Sequence, residues 1–81
     1  MQTHLSKRDQ KHIWHPLTQH KLHPEMLGIA SAKGAIITDE SGREYIDAIS
    51  SWYTCVYGHC NPSILKAVAA QMQVLDQVVF S

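Results

Sequence analysis

Charge is scarce in this sequence and evenly split. Charged residues make up 17% of the 81-residue chain, below the roughly 25% usual in globular domains. Seven Lys+Arg offset seven Asp+Glu, so there is no electrostatic footprint for nucleic acid or an anionic membrane surface. Long apolar runs are missing as well. No stretch approaches the ~20 residues needed to span a bilayer, and the polar opening from Met1 to Gln10 has no apolar segment behind it to act as a secretory leader. A cytoplasmic location is the expectation. There Cys55 and Cys60 remain thiols, and two cysteines are in any case too few for a disulfide framework. GxGxxG, GxxxxGK[ST], GxSxG and HExxH are all absent, which removes local support for dinucleotide, P-loop, hydrolase-elbow and zincin chemistry.

What remains is 44% apolar and short. A chain this size is one small domain at most, burying only about 60% of its unfolded surface. Such chains normally need a staple or a partner. Histidine, six times in 81 residues, is the compositional excess. His12 and His15 form one HxxH pair, His20 and His23 another, and His59 adjoins Cys60. Zinc takes such ligands. Pro16 and Pro24, however, push His15 and His23 toward extended backbone, and no CxxC accompanies them, so surface or packing histidines are the simpler reading.

The organisation falls into four stretches. Residues 1–25 read as an N-terminal arm with a short helix, opened by Ser6 with Asp9 three residues on and stopped by Pro16. Residues 26–49 read as strands: Met26–Ala30, then a turn at Lys33-Gly34, then Ala35–Thr38. Asp39-Glu40-Ser41-Gly42 follows as a turn and Glu44–Ile49 as the last strand. Short connections imply an antiparallel three-stranded meander. Residues 50–61 form an aromatic, small-residue-rich loop. Residues 62–81 read as a long helix, with Asn61 as N-cap and Pro62 at its first position. Ile64, Val68, Met72, Leu75 and Val79 lie on one stripe of it, which the pattern assigns to a core. Val78-Val79-Phe80 is apolar next to the final Ser81, so the expectation is the front piece of a longer protein.

Chemistry has few places to reside. Asp39-Glu40 sits in a turn, where solvation is expected. Asp47 could serve as a ligand or base, although capping a neighbouring backbone or pairing with an arginine is commoner. A thiol nucleophile on Cys55 or Cys60 needs His59, and adjacent His59 and Cys60 point apart. Trp52, Tyr53 and Tyr57 offer stacking area among small residues, with Gly58 permitting close approach. Composition leaves open whether these rings hold a ligand or fill the gap between sheet and helix.

The residues then match a known pattern. Gly34 through Asp47 resembles the N-terminal signature of class III aminotransferases: a Gly, a strand, Asp-x-x-Gly-Arg, an aromatic and a second Asp. Gly58-His59-Cys60-Asn61-Pro62 is similar to that family's Gly-His-x-His/Asn-Pro. Ile13-Trp14-His15-Pro16, Thr18-Gln19 and Ser50-Ser51-Trp52 resemble its biotin-pathway branch. The likeness runs from about Lys11 to the last residue.

The resemblance implies an α/β fold type I enzyme, a homodimer using pyridoxal 5'-phosphate (PLP). Its reaction would move an amino group from S-adenosylmethionine to 8-amino-7-oxononanoate, with no nucleic-acid or membrane partner. It further implies substrate contact for Trp52, Tyr53 and the position of Leu17, where the family often has Tyr and where the stacking contact is lost. Trp14 and Pro16 would shape the pocket entrance. In that family the Schiff-base lysine and the acid partner of the cofactor's ring nitrogen lie downstream. None of Lys7, Lys11, Lys21, Lys33 and Lys66 matches the lysine motif, so the chain alone is expected to be inactive. The rival readings are another class III aminotransferase and a small His/Cys metal module.

Overall fold

The computed structural model describes residues 3–79. Helix α1 spans His4–His12, strands β1, β2 and β3 span Ile29–Lys33, Ile36–Asp39 and Glu44–Ile46, a short α2 spans Ser50–Tyr53 and α3 spans Pro62–Met72. The strands form one sheet in the order β1-β2-β3, antiparallel throughout. The expected meander is therefore present, and local chemistry explains it. Gly34 (φ +60°) turns β1 into β2, and Lys33 consequently pairs with Ile36. Asp39 and Gly42 turn β2 into β3, with Gly42 N–H donating to Asp39 O at 3.1 Å.

Boundaries differ from the sequence pattern wherever a specific hydrogen bond intervenes. The arm helix is capped by Thr3, whose hydroxyl accepts from Ser6 N at 3.2 Å, so Ser6 lies inside it and is buried. The first strand sits at Ile29–Lys33 rather than Met26–Ala30, because its register is measured back from the Gly34 turn. A bulge between Ile29 and Ser31 absorbs one residue. The third strand ends at Ile46 instead of Ile49: Asp47 N donates to Ala35 O at 2.8 Å and the chain then turns, Ser50 N reaching Asp47 O at 3.3 Å.

The last helix begins as expected, Asn61 Oδ1 accepting from Ser63 N and Ile64 N, but it ends at Met72 instead of running through 62–81. Val74 N and Leu75 N both fold back to Gln71 O at 2.9 Å, and Asp76 Oδ1 takes the Gln77 amide at 2.8 Å, a local bond that competes with helix. Phe80 and Ser81 lie outside the described residues.

The core expected behind the stripe is missing from this chain. Among the described residues no apolar side chain is buried. Ile64, Val68, Met72, Leu75 and Val79 all remain exposed, 45% to 74% of their surface being open. A compact chain of this length has a radius of gyration of about 12 Å, against 16.1 Å here. The stripe faces no partner within the described chain, and α3 has no tertiary packing to extend it past Met72. No helix among the described residues is long and apolar enough to cross a membrane.

Candidate functional site

The loop after β3 has an unusual backbone. Ser50, Ser51, Trp52 and Tyr53 have φ of 50°, 45°, 66° and 67°, so α2 is a single left-handed turn. Tyr53 N donates to Ile49 O at 3.1 Å and Thr54 N to Ser50 O at 2.9 Å. For L-residues this conformation costs about 1–2 kcal/mol each, and it persists only where the surroundings over-determine it.

Asp47 supplies much of that constraint. Its Oδ1 accepts from Ser51 N at 3.1 Å. Its Oδ2 accepts from Ser51 Oγ at 2.8 Å and lies 2.7 Å from His59 Nε2. The carboxyl pKa falls from 3.8 to about 2, chiefly through the Ser51 amide, then His59 and the Ser51 hydroxyl, against the opposing effect of burial. Asp47 thus does cap a neighbouring backbone, and its side-chain partner is the His59 ring instead of an arginine.

His59 is itself fixed. Its amide donates to Gly34 O at 2.8 Å and accepts in return from Gly34 N at 3.0 Å through its carbonyl. The close approach depends on Gly58, at φ +80°, where a Cβ would stand 3.1 Å from Gly34 Cα. On the other side of the ring, Nδ1 lies 3.5 Å from Cys55 Sγ. Hairpin tip, strand end and loop therefore meet around a cavity of about 190 Å³.

The residues expected to touch substrate sit on the open side of this scaffold. Trp52 is 71% exposed and Tyr53 84%, adjacent in the left-handed turn. With Tyr57 also exposed, the rings do not fill a gap between this chain's sheet and helix. Leu17 is brought to a separate turn of the arm, at φ +53° and 91% exposed, where Thr18 Oγ1 donates to Pro16 O at 2.9 Å. Trp14 stacks on His20 with ring centroids 4.2 Å apart.

Sequence reasoning misjudged the Asp39-Glu40 turn. Asp39 is buried, not solvated, at 4% exposure. It accepts from Ser41 N, Arg43 N and Tyr45 Oη, each at 2.9 Å, and forms an ion pair with Arg43 Nε at 3.2 Å. Burial pushes its carboxyl up, but the bonds from the Arg43 amide, Tyr45 and the Ser41 amide outweigh it and leave the pKa below the ordinary value. Tyr45 is raised in return, foremost by its bond to Asp39. Glu40 Oε1 accepts from Leu5 N at 3.0 Å, placing a carboxylate at the start of α1 from another element. Asp-x-x-Gly-Arg, a turn in which Asp can accept two backbone amides, was the available signal for Asp39. Nothing local could have revealed Glu40 or Cys55.

Among the described residues no three His, Cys, Asp or Glu gather as metal ligands would. His15 instead bonds Asp9 at 2.7 Å. The five lysines are all exposed.

The family model described as Aminotransferase class-III matches residues 17–81. Among curated proteins, the adenosylmethionine-8-amino-7-oxononanoate aminotransferase of Synechococcus elongatus is 43% identical over 70 residues, covering 86% of this chain. The protein of the same name from Geobacter sulfurreducens is 39% identical over 70 residues, covering 84%. The chain spans only 16% of the length of each. Among solved structures, the adenosylmethionine-8-amino-7-oxononanoate aminotransferase of Methanocaldococcus jannaschii superposes with a TM-score of 0.86 at 32% identity, over 94% of this chain and 18% of that one. An omega transaminase of Pseudomonas jessenii, in complex with PMP, gives 0.86 at 28% identity, over 98% and 18%.

Proposed function

The chain belongs to the class III aminotransferases, and from that premise we propose that it is the N-terminal segment of a biotin-pathway enzyme. That enzyme transfers an amino group from S-adenosylmethionine to 8-amino-7-oxononanoate, giving 7,8-diaminononanoate. It works in the cytoplasm as a homodimer and uses PLP, which supplies the electron sink for amino transfer. The lysine that holds PLP lies outside this segment, so the segment alone is inactive.

One observation carries the assignment of a role to this piece. The left-handed turn holds Trp52 and Tyr53 at consecutive positions, and among the described residues both stay largely exposed. Aromatic faces with a polar tip suit an amphipathic substrate with an alkyl body, and the turn is fixed by Asp47 rather than by the rings themselves. Trp52 therefore serves as a pocket wall, Tyr53 as its neighbour and Leu17 as an apolar contact from the arm. The relatives named for this activity support the substrate assignment.

In the full-length enzyme, Trp52→Ala is expected to raise KM for 8-amino-7-oxononanoate on the order of tenfold, with a smaller change in kcat. An unchanged KM would remove Trp52 from the pocket. A second reading, a class III enzyme for another amine, draws on the equal superposition of the omega transaminase. Full turnover with simple amines and none with S-adenosylmethionine would favour it.

A further inference from the structure

We infer that Cys55 is a nucleophilic thiol, a site of covalent modification by small electrophiles and by hydroperoxides in particular. The argument rests on which atoms face one another. Cys55 Sγ lies 3.5 Å from His59 Nδ1, and the opposite ring nitrogen, Nε2, lies 2.7 Å from Asp47 Oδ2.

A carboxylate accepts hydrogen bonds and cannot donate one, so the Nε2 hydrogen is committed to Asp47. The neutral imidazole then has its lone pair on Nδ1, directed at the sulfur. Asp47 remains ionised across the physiological range because its carboxyl titrates at about 2, held there first by the Ser51 amide. Thiol, base and orienting acid thus stand in the order that nucleophilic catalysis employs.

Three further features make this a site instead of a chance contact. The residues come from separate positions, Asp47 just after β3 and Cys55 and His59 from the loop, and each is pinned by the backbone. His59 is paired with Gly34 in both directions, and Cys55 N donates to Ser50 O at 3.1 Å. Cys55 is only partly covered. It lines the 190 Å³ cavity together with Ala35, Ser50 and Val56, room enough for a reagent the size of a hydroperoxide. The groups facing the sulfur are His59 and, at 3.8 Å, the Thr54 hydroxyl.

The step balances without outside help beyond the oxidant. The sulfur attacks the terminal oxygen of a hydroperoxide, the S–O bond forms and the O–O bond breaks. The thiol proton passes to His59 Nδ1 and from there to the departing alkoxide or hydroxide. Sulfur is oxidised by two electrons to the sulfenic acid and the peroxide is reduced to an alcohol or water. With an alkyl halide the same proton transfer accompanies S–C bond formation and loss of halide.

Cys60, which is exposed, is the internal reference. The full-length protein is treated with limiting iodoacetamide, and separately with hydrogen peroxide followed by a sulfenic-acid trap, and each cysteine is read by mass spectrometry. Cys55 is expected to react on the order of tenfold faster than Cys60 in the native state, the ratio falling to about one in urea. His59→Gln should bring the native ratio close to its unfolded value, and Asp47→Asn should lower it while leaving Cys60 unchanged. A native ratio of one or less, or a ratio indifferent to His59→Gln, overturns the inference. Should His59→Gln fail to fold, the native-to-urea comparison of the unaltered protein decides alone. None of these readouts depends on transaminase activity.

Discussion

Gly58→Ala is the substitution that most directly tests how the loop is held to the sheet. Two effects combine at this position. Alanine at φ +80° enters a region that costs L-residues about 1–2 kcal/mol. Its Cβ would also stand 3.1 Å from Gly34 Cα and 3.4 Å from Gly34 C, and because the neighbour is backbone it cannot rotate away. The relief available is to move Gly34 and His59 apart, which stretches the bonds of 2.8 and 3.0 Å between them, each worth about 0.5–1.5 kcal/mol. The bridge should therefore lose about 2–5 kcal/mol of local stability. In amide hydrogen exchange of the full-length enzyme, the Gly34 and His59 amides should exchange about 30- to 5,000-fold faster.

Gly42→Ala supplies the control. Gly42 has φ +85° but nothing within 4 Å of its added Cβ, so only the conformational penalty applies. Exchange should rise about 5- to 30-fold, confined to the 39–43 turn. If Gly58→Ala accelerates exchange no more than this, the close approach of Gly58 to Gly34 contributes nothing and the reasoning fails.

The other expectations concern Asp47 and Glu40. Because the folded-state pKa of Asp47 is depressed from 3.8 to about 2, its contribution to stability is complete above about pH 4 and is lost as pH falls toward 2. The Ser51 amide resonance should titrate with a midpoint near 2, and a midpoint at or above 3.8 would show that the carboxyl does not hold the turn. Glu40→Ala removes the acceptor of Leu5 N and the negative charge at the start of α1. Amide exchange across His4–His12 should then quicken several-fold, with Glu40→Gln restoring part of the protection through its remaining oxygen. Equal exchange in the two variants would show that the arm is held by something other than this contact.

Much of the local architecture was legible because local chemistry dictates it. Gly34 and Asp39 to Gly42 specify turns, β-branched Ile36, Ile37 and Thr38 specify a strand, and Asn61-Pro62 specifies a helix start. Each of these signals acts within a few residues, and each appears where expected. The helix stop was not legible. The stripe from Ile64 to Val79 repeats with helical period beyond Met72, but period alone does not supply a surface to pack on.

The sequence by itself determined the meander, the start of α3 and, through Gly34 to Asp47 and Gly58 to Pro62, the family. These depend on backbone conformations and spacings that a short run of residues imposes on itself. Only the tertiary structure decided that Asp39 is buried, that Glu40 reaches across to α1, and that Asp47, His59 and Cys55 face one another beneath a left-handed turn. Those contacts join residues through folding of the hairpin and loop, and their geometry follows from where the chain crosses itself. Charge is scarce in this chain, with seven Asp+Glu, yet Asp39, Glu40 and Asp47 hold turns and a helix start, and only the fold reveals it.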